Sequence, residues 1–289
     1  MSLFSFGNPG GGDSEVVDPQ EAWLPDYSYL IAEPSIEHWI NLGDGYCMSP
    51  ARLRFTKKDS PNNRALEEIA KYMGVKFRNT SQDSMGRWFI GGDNDSGLAG
   101  NWEEFMKLNL YLGKKVPSIK EAREFMKVLF EGLNGKEIYT VGGERLKTEY
   151  MQKVLFDFSK THTVAKTRST FLEDYFDFSK GILTLKKNCI IKEGHLLPTY
   201  KKELDNNTLK QDRAPGISLQ SFLKGGSTSQ GLPSNNVEEG DLYYLAPRKD
   251  GNYVSAFESG NPYGSSLVCV AVPSIRDITV GCYSFGKIK

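Results

Sequence analysis

The sequence predicts an α+β fold: a mixed helix and strand N-terminal part followed by a mostly antiparallel β-rich C-terminal part. Three observations carry this reading. Before Gly181, apolar residues recur at spacings of three and four behind recognisable helix caps. After Gly181 they come in short runs separated by Gly, Pro, Asn and Asp. The helices also precede the strands instead of alternating with them, which argues against a doubly wound parallel sheet.

Taken in order, Met1 to Pro19 holds Gly7, Gly10, Gly11 and Gly12 among Ser and Asp, the composition of a flexible leader over residues 1–20. Phe4 and Phe6 stand inside it as candidate anchors for a neighbouring subunit. Trp23 to Trp39 is dense in large apolar groups, so order is expected to begin there. Ser60 as N-cap, Pro61 at the first helical position and Gly74 as stop punctuate a helix whose buried face is Leu66, Ile69, Ala70 and Met73. Val75–Asn79 and Arg87–Ile90 read as a strand pair around the turn-rich Thr80–Gly86.

Ser118 and Glu121 have the spacing of a capping box, which predicts a helix with Ile119, Ala122, Phe125, Met126 and Leu129 on its buried face and Gly132 or Asn134-Gly135 at its end. Lys136–Val141 reads as a strand, and Gly143–Phe158 as a third helix with Leu146, Tyr150, Val154 and Phe158 on one side. The pentapeptide at Phe156–Lys160 recurs at Phe176–Lys180, 20 residues later; one coincidence is no solenoid.

Ile182–Leu185, Cys189–Ile191, Leu242–Leu245, Tyr253-Val254, Leu267–Val272 and Ile278–Val280 predict strands. Gly225–Asn236, rich in Gly, Ser and Asn, reads as a long mobile loop. A soft boundary near 181 divides residues 21–180 from 181–289, and a core shared by both parts is compatible with it.

The 289 residues balance 36 Lys and Arg against 36 Asp and Glu, with 39% hydrophobic and 25% charged residues, which excludes disordered, collagen-like, coiled-coil and membrane-spanning classes. No apolar stretch reaches the roughly 18 residues that cross a bilayer. The start lacks the basic and apolar signature of a signal peptide, so an intracellular protein without a membrane partner is expected. Cys47, Cys189, Cys269 and Cys282 are scattered without metal or redox spacing and are expected as buried free thiols.

Charge is uneven along the chain. Residues 1–50 carry 8 acidic groups and no Lys or Arg, whereas residues 107–210 carry 20 basic against 13 acidic groups. An acidic arm and a basic middle suit either a polyanion partner or head-to-tail subunit contacts.

Catalytic signatures are sparse. His38, His162 and His195 are the three histidines. His162, between Thr161 and Thr163 and near Lys160, Lys166 and Arg168, would suit a phosphate-bearing substrate, but no second histidine in an equivalent setting accompanies it. No Ser or Cys nucleophile motif points to a triad. Gly92–Gly97 offers carboxylates at alternate positions without the rest of a calcium loop, and the glycine clusters lack the Lys-Ser/Thr ending of a phosphate loop. No cofactor or metal is expected. Aromatics beside cations, as at Arg87-Trp88 and at Tyr111 with Lys114-Lys115, are the pattern of a stacking platform framed by positive charge.

These features lead to a non-enzymatic binding or assembly protein, such as a subunit of a larger particle or filament, whose partners are further copies or other subunits. The second reading is a single-stranded nucleic-acid-binding protein in which Arg87, Trp88, Tyr111, Lys114, Lys115, Lys160, Lys166 and Arg168 hold the strand and residues 1–50 mask it. The third is an enzyme on a phosphorylated or carbohydrate substrate, which requires a cleft lined by carboxylates.

Overall fold

A computed structural model describes residues 31–32, 35–52, 54–55, 101–159, 168–261, 264–275 and 280–288. In chain order these form β1 (Ile31–Ala32), β2 (Ile40–Gly43), β3 (Tyr46–Arg52), β4 (Arg54–Phe55), α1 (Trp102–Tyr111), α2 (Ile119–Leu133), α3 (Thr148–Ser159), β5 (Arg168–Ser179), β6 (Ile182–Lys192) and β7 (His195–Glu203). There follow β8 (Arg213–Ile217), α4 (Leu219–Lys224), β9 (Leu242–Leu245), β10 (Tyr253–Asn261), β11 (Gly264–Ala271), β12 (Val280–Gly281) and β13 (Tyr283–Lys287). The fold is α+β, with the longer helices ahead of a mostly antiparallel sheet.

The main sheet runs β7-β6-β5-β10-β11-β9-β8, with β12 added in parallel against β5. Among the described residues only the β11–β9 and β12–β5 pairings are parallel. A smaller sheet, β13-β3-β2, joins the C-terminal strand to the N-terminal side of the chain. Three tight hairpins share one turn chemistry: Asp44-Gly45, Lys180-Gly181 and Glu193-Gly194 all have positive φ, at 51° and 76°, 54° and 79°, and 53° and 76°. Two successive left-handed residues twist a two-residue turn to match the strand twist, and glycine at the second position removes most of the steric cost.

Strand β5 is irregular where it matters most. Tyr175 lies opposite Val254 and Phe171 opposite Ala256, so four steps along β5 are spent against two along β10. Leu172 to Asp174, three residues opposite the single Ser255, leave the ladder and turn to other partners, which is what a bulge does beside a site.

The capping box of α2 forms as its spacing predicts: Ser118 accepts from the Glu121 N–H, and the Glu121 carboxylate accepts from the Ser118 N–H. Ile119, Ala122, Phe125, Met126, Leu129 and Gly132 make its buried face, which packs against α3, α4 and β5. One core cluster draws on both sides of residue 181, from Ile40 and Met48 through α2 and α3 to Phe257, Leu267 and Phe285. All four cysteines are buried and none is in a disulfide. Among the described residues no helix is long and apolar enough to cross a membrane.

Several expectations are corrected. Lys136–Val141 makes only isolated bridges, Ile40 to Thr140 and Tyr139 to Arg145, because Gly142-Gly143 turn the chain back at once. The third helix therefore starts at Thr148, not Gly143, and its buried face is Met151 and Val154 while Tyr150 is exposed. Residues 225–236 pack against the fold and do not form an open loop. Gln230 donates to the Glu203 carbonyl and accepts from the Asp205 N–H, and Leu232 is fully buried. Helix α1 was not expected, although Asn101 and Glu104 form a complete capping box. The repeated pentapeptide is helical at Phe156–Ser159 and extended at Phe176–Ser179, so tertiary context decides its conformation. The expected helix from Arg64, the strand pair after it and the Gly92–Gly97 turn lie outside the described residues.

Candidate functional site

Two constellations stand out, one inside the molecule and one on its surface. The inner one gathers at the N-terminus of α2, where four backbone N–H groups have no helical partner. Asp174, freed from the ladder by the β5 bulge, accepts the Ile119 N–H at 2.5 Å. Glu173 N–H donates to the Pro117 carbonyl at 2.9 Å, and its carboxylate accepts the Cys189 N–H of β6 at 2.9 Å. Trp102 of α1 donates its indole N–H to the Leu172 carbonyl at 2.8 Å. Three bulged residues thus tie α1, α2, β5 and β6 together.

Around them the charges are uneven. Lys115 pairs with Glu121 at 2.5 Å, and its ammonium also lies 4.9 Å from the Phe285 ring centroid. These two side chains keep 19% and 22% of their surface in solvent and form the wet rim. Glu173 and Asp174 are sealed, at 2% and 0% exposure. Lys187, buried on β6, stacks over Tyr200 at 5.2 Å and acts electrostatically on Asp174. Three carboxylates against two ammoniums leave one negative charge in excess.

Burial pushes the Glu173 carboxyl up to about 7, with Lys115 opposing and Glu121 and Asp174 reinforcing. Burial likewise pushes Asp174 up to about 6, against the pull of Lys187. The second oxygen of each has no hydrogen-bond partner among the described residues. An ionised oxygen so placed is costly, and a proton retained on one of the two carboxyls removes the charge excess. Burial would also raise Glu121, but Lys115 and the Ser118 hydrogen bonds overcome it and hold that carboxyl low.

A perturbed acid can work on substrate only where substrate reaches it. Glu173 and Asp174 are enclosed by packed elements, and the two open depressions described, of about 440 and 410 Å³, lie elsewhere, beside Gln220 and Lys224 and beside Lys210 and Arg248. Among the described residues no group of His, Cys, Asp and Glu side chains could hold a metal ion. The hub is a structural joint.

The outer constellation is the β6–β7 hairpin at the sheet edge. Ile190 lies directly opposite Leu197, and these two are 36% and 42% exposed. Ile191 pairs with Leu196 on the opposite face and both are only half-buried. Strand β7 is exposed or half-exposed throughout its length. An edge strand with apolar side chains is an open template for association, and Pro198 interrupts its row of backbone donors.

Of the residues singled out from sequence, Phe4, Phe6, Arg87, Trp88, Lys160 and Lys166 lie outside the described residues. Arg168 begins β5 and Tyr111 ends α1. Lys114 sits over the Trp39 ring at 5.1 Å and Lys115 is the hub's cation, so both lysines turn inward to neighbours. His195 is exposed at the hairpin tip, and His38 is exposed at the end of the short 3-10 helix Ile36–His38. The sequence did carry signals for both constellations. Glu173-Asp174 interrupts an otherwise apolar run, and Ile190-Ile191 and Leu196-Leu197 break strand alternation symmetrically about Glu193-Gly194. No protein-family model, curated protein or solved structure matches this chain, so its function is read from its own residues.

Proposed function

We propose that this chain is a non-enzymatic assembly subunit that associates with other protein chains, further copies of itself included, through the β6–β7 hairpin. The supporting observation is the exposed Ile190–Leu197 pair on an edge hairpin whose other face is also only partly covered. Ile190 and Leu197 are 36% and 42% exposed, so covering what remains would contribute about 0.5–1.3 kcal/mol for each. The test is light scattering on the full chain over a concentration series. The mass should rise with concentration, and Ile190→Asp with Leu197→Asp should hold the protein monomeric at unchanged melting temperature. A wild-type chain that stays monomeric throughout, or a double variant that assembles equally, would sink the proposal.

A second reading, single-stranded nucleic-acid binding, draws support from Lys192, Lys201 and Lys202, all exposed on the same hairpin. It predicts oligonucleotide binding that weakens steeply with salt and survives the Ile190 and Leu197 substitutions.

A further inference from the structure

The outer face of the β6–β7 hairpin is banded. At its centre is the Ile190–Leu197 pair; towards the tip Lys192 lies opposite His195, and towards the root Lys186 lies opposite Lys201. Lys186 is held by Asp177 at 2.9 Å, whereas Lys192, His195 and Lys201 are exposed. Asp177 also acts electrostatically on Lys201, so the root pair is partly neutralised, and the exposed Lys192 beside His195 at the tip carries most of the charge left for a partner. Over residues 180–203 there are six Lys against two Glu, of which Lys186 and Lys202 pair with Asp177 and Asp205 and Lys187 is buried. The matching occupant has large apolar side chains with carboxylates on both sides.

This chain contains such a segment. Residues 13–27 carry Asp13, Glu15, Asp18 and Glu21, then Trp23 and Leu24, then Asp26 and Tyr27, with no Lys or Arg. They lie outside the described residues. We infer that residues 13–27 of a second copy of this chain occupy the outer face of the hairpin, Trp23 and Leu24 against Ile190 and Leu197, and the flanking carboxylates against Lys192 and Lys201. Nucleic acid matches the face less well, because a phosphodiester chain leaves the aliphatic pair uncovered. The inference rests on the assembly reading, since a segment folded onto its own hairpin would cover the face and leave nothing to join. Segment and hairpin are different surfaces, so the contact is heterologous and each copy offers one of each, the head-to-tail arrangement of rings and filaments.

Two full-length variants test it. One carries Glu21→Gln, Trp23→Ser, Leu24→Ser and Asp26→Asn; the other carries Ile190→Asp and Leu197→Asp. Each alone should remain monomeric by light scattering, and an equimolar mixture should form a one-to-one heterodimer that grows no further, because only one intact segment and one intact hairpin remain. The heterodimer should weaken at least tenfold between about 50 mM and 500 mM salt. If the segment variant assembles as the wild type does while the hairpin variant does not, the occupant is another surface and this inference falls with the assembly reading intact. If the mixture stays monomeric although the wild type assembles, docking between copies is overturned. A wild-type chain that never assembles removes both readings.

Discussion

The Glu173 carboxylate accepts the Cys189 N–H at 2.9 Å, where the β5–β6 ladder has run out. The last recorded ladder pair on this side is Tyr175 with Lys186. Beyond it the β5 backbone is committed elsewhere, with the Glu173 N–H on Pro117, and Asn188 takes a φ of +53°. A side chain thus serves as the final rung, and it roots the hairpin that carries Ile190 and Leu197. Core electrostatics and the exposed face are joined through one hydrogen bond.

This joint should make stability depend on pH. Folding raises the Glu173 carboxyl from 4.5 to about 7 and Asp174 from 3.8 to about 6, so the folded chain holds protons that the unfolded chain has released. Their contribution is fully present below about pH 4 and is lost as pH rises through 6 and 7. Glu121, held low, contributes in the opposite sense, present above about 4.5 and lost in acid. Stability should therefore peak in mildly acidic solution. Urea unfolding between about pH 5 and pH 8 should show a decline of about 3 kcal/mol from Glu173, at about 1.4 kcal/mol per pH unit between its two values, with a further loss of about 1 kcal/mol from Asp174 below about pH 6. Glu173→Gln keeps an oxygen for Cys189 and removes the charge, so it should flatten that decline. An equal decline in the variant would refute the assignment.

Lys115 and Glu121 should behave as one unit. Lys115→Met removes the cation and leaves the Glu121 carboxylate facing the hub with Ser118 as its remaining partner. The pair keeps about a fifth of its surface in water, so the cost should be about 1–3 kcal/mol, below the 3–5 kcal/mol of a fully sealed pair. Adding Glu121→Gln should recover most of it. Denaturant unfolding of the two single variants and the double variant gives the coupling directly, and strictly additive losses would show that the pair does not act as a unit.

The two capping boxes should differ in worth. Asn101 accepts the Glu104 N–H at 3.0 Å and is the side-chain cap of α1, so Asn101→Ala should cost about 1–2 kcal/mol. Ser118 reaches the Glu121 N–H only at 3.5 Å, and Asp174 already covers the Ile119 N–H. Ser118→Ala should therefore cost less, about 0.5–1 kcal/mol. Paired thermal melts decide the order, and a larger loss at Ser118 would mean that Asp174 is no substitute cap.

What the sequence disclosed were local signals. The Ser118 box, the apolar spacing of α2 and β9 at Leu242–Leu245 are written in contiguous residues and were readable. The tertiary choices were not. Phe156–Ser159 and Phe176–Ser179 share their letters and differ in conformation, one continuing the α3 helix and the other pairing with β6 and β10. The hub joins Lys115, Glu121, Glu173, Asp174 and Lys187 across more than 70 residues, a convergence that only the bulge in β5 produces. The same gap explains why the basic middle misled: Lys115 and Lys187 are spent inside on hub carboxylates, and Lys186 on Asp177.

The stretch 225–236, glycine-rich yet packed, gives the sharpest test of that lesson. Gly231 has φ +95°, and a Cβ placed on it would lie 2.6 Å from the Lys120 Cα and N in the first turn of α2. Backbone at both sides of the contact cannot step aside as a side-chain tip can. Gly135 has a similar φ of +100° but open space around it. Gly135→Ala should cost only the left-handed penalty, about 1–2 kcal/mol. Gly231→Ala adds the collision and should cost about 3 kcal/mol or more, with loss of the Gln230 anchor to Glu203 and Asp205. Denaturant midpoints for the two variants isolate packing from conformation, because the backbone term is shared. Equal losses would mean that the segment is free of α2 in solution, as its composition alone suggested.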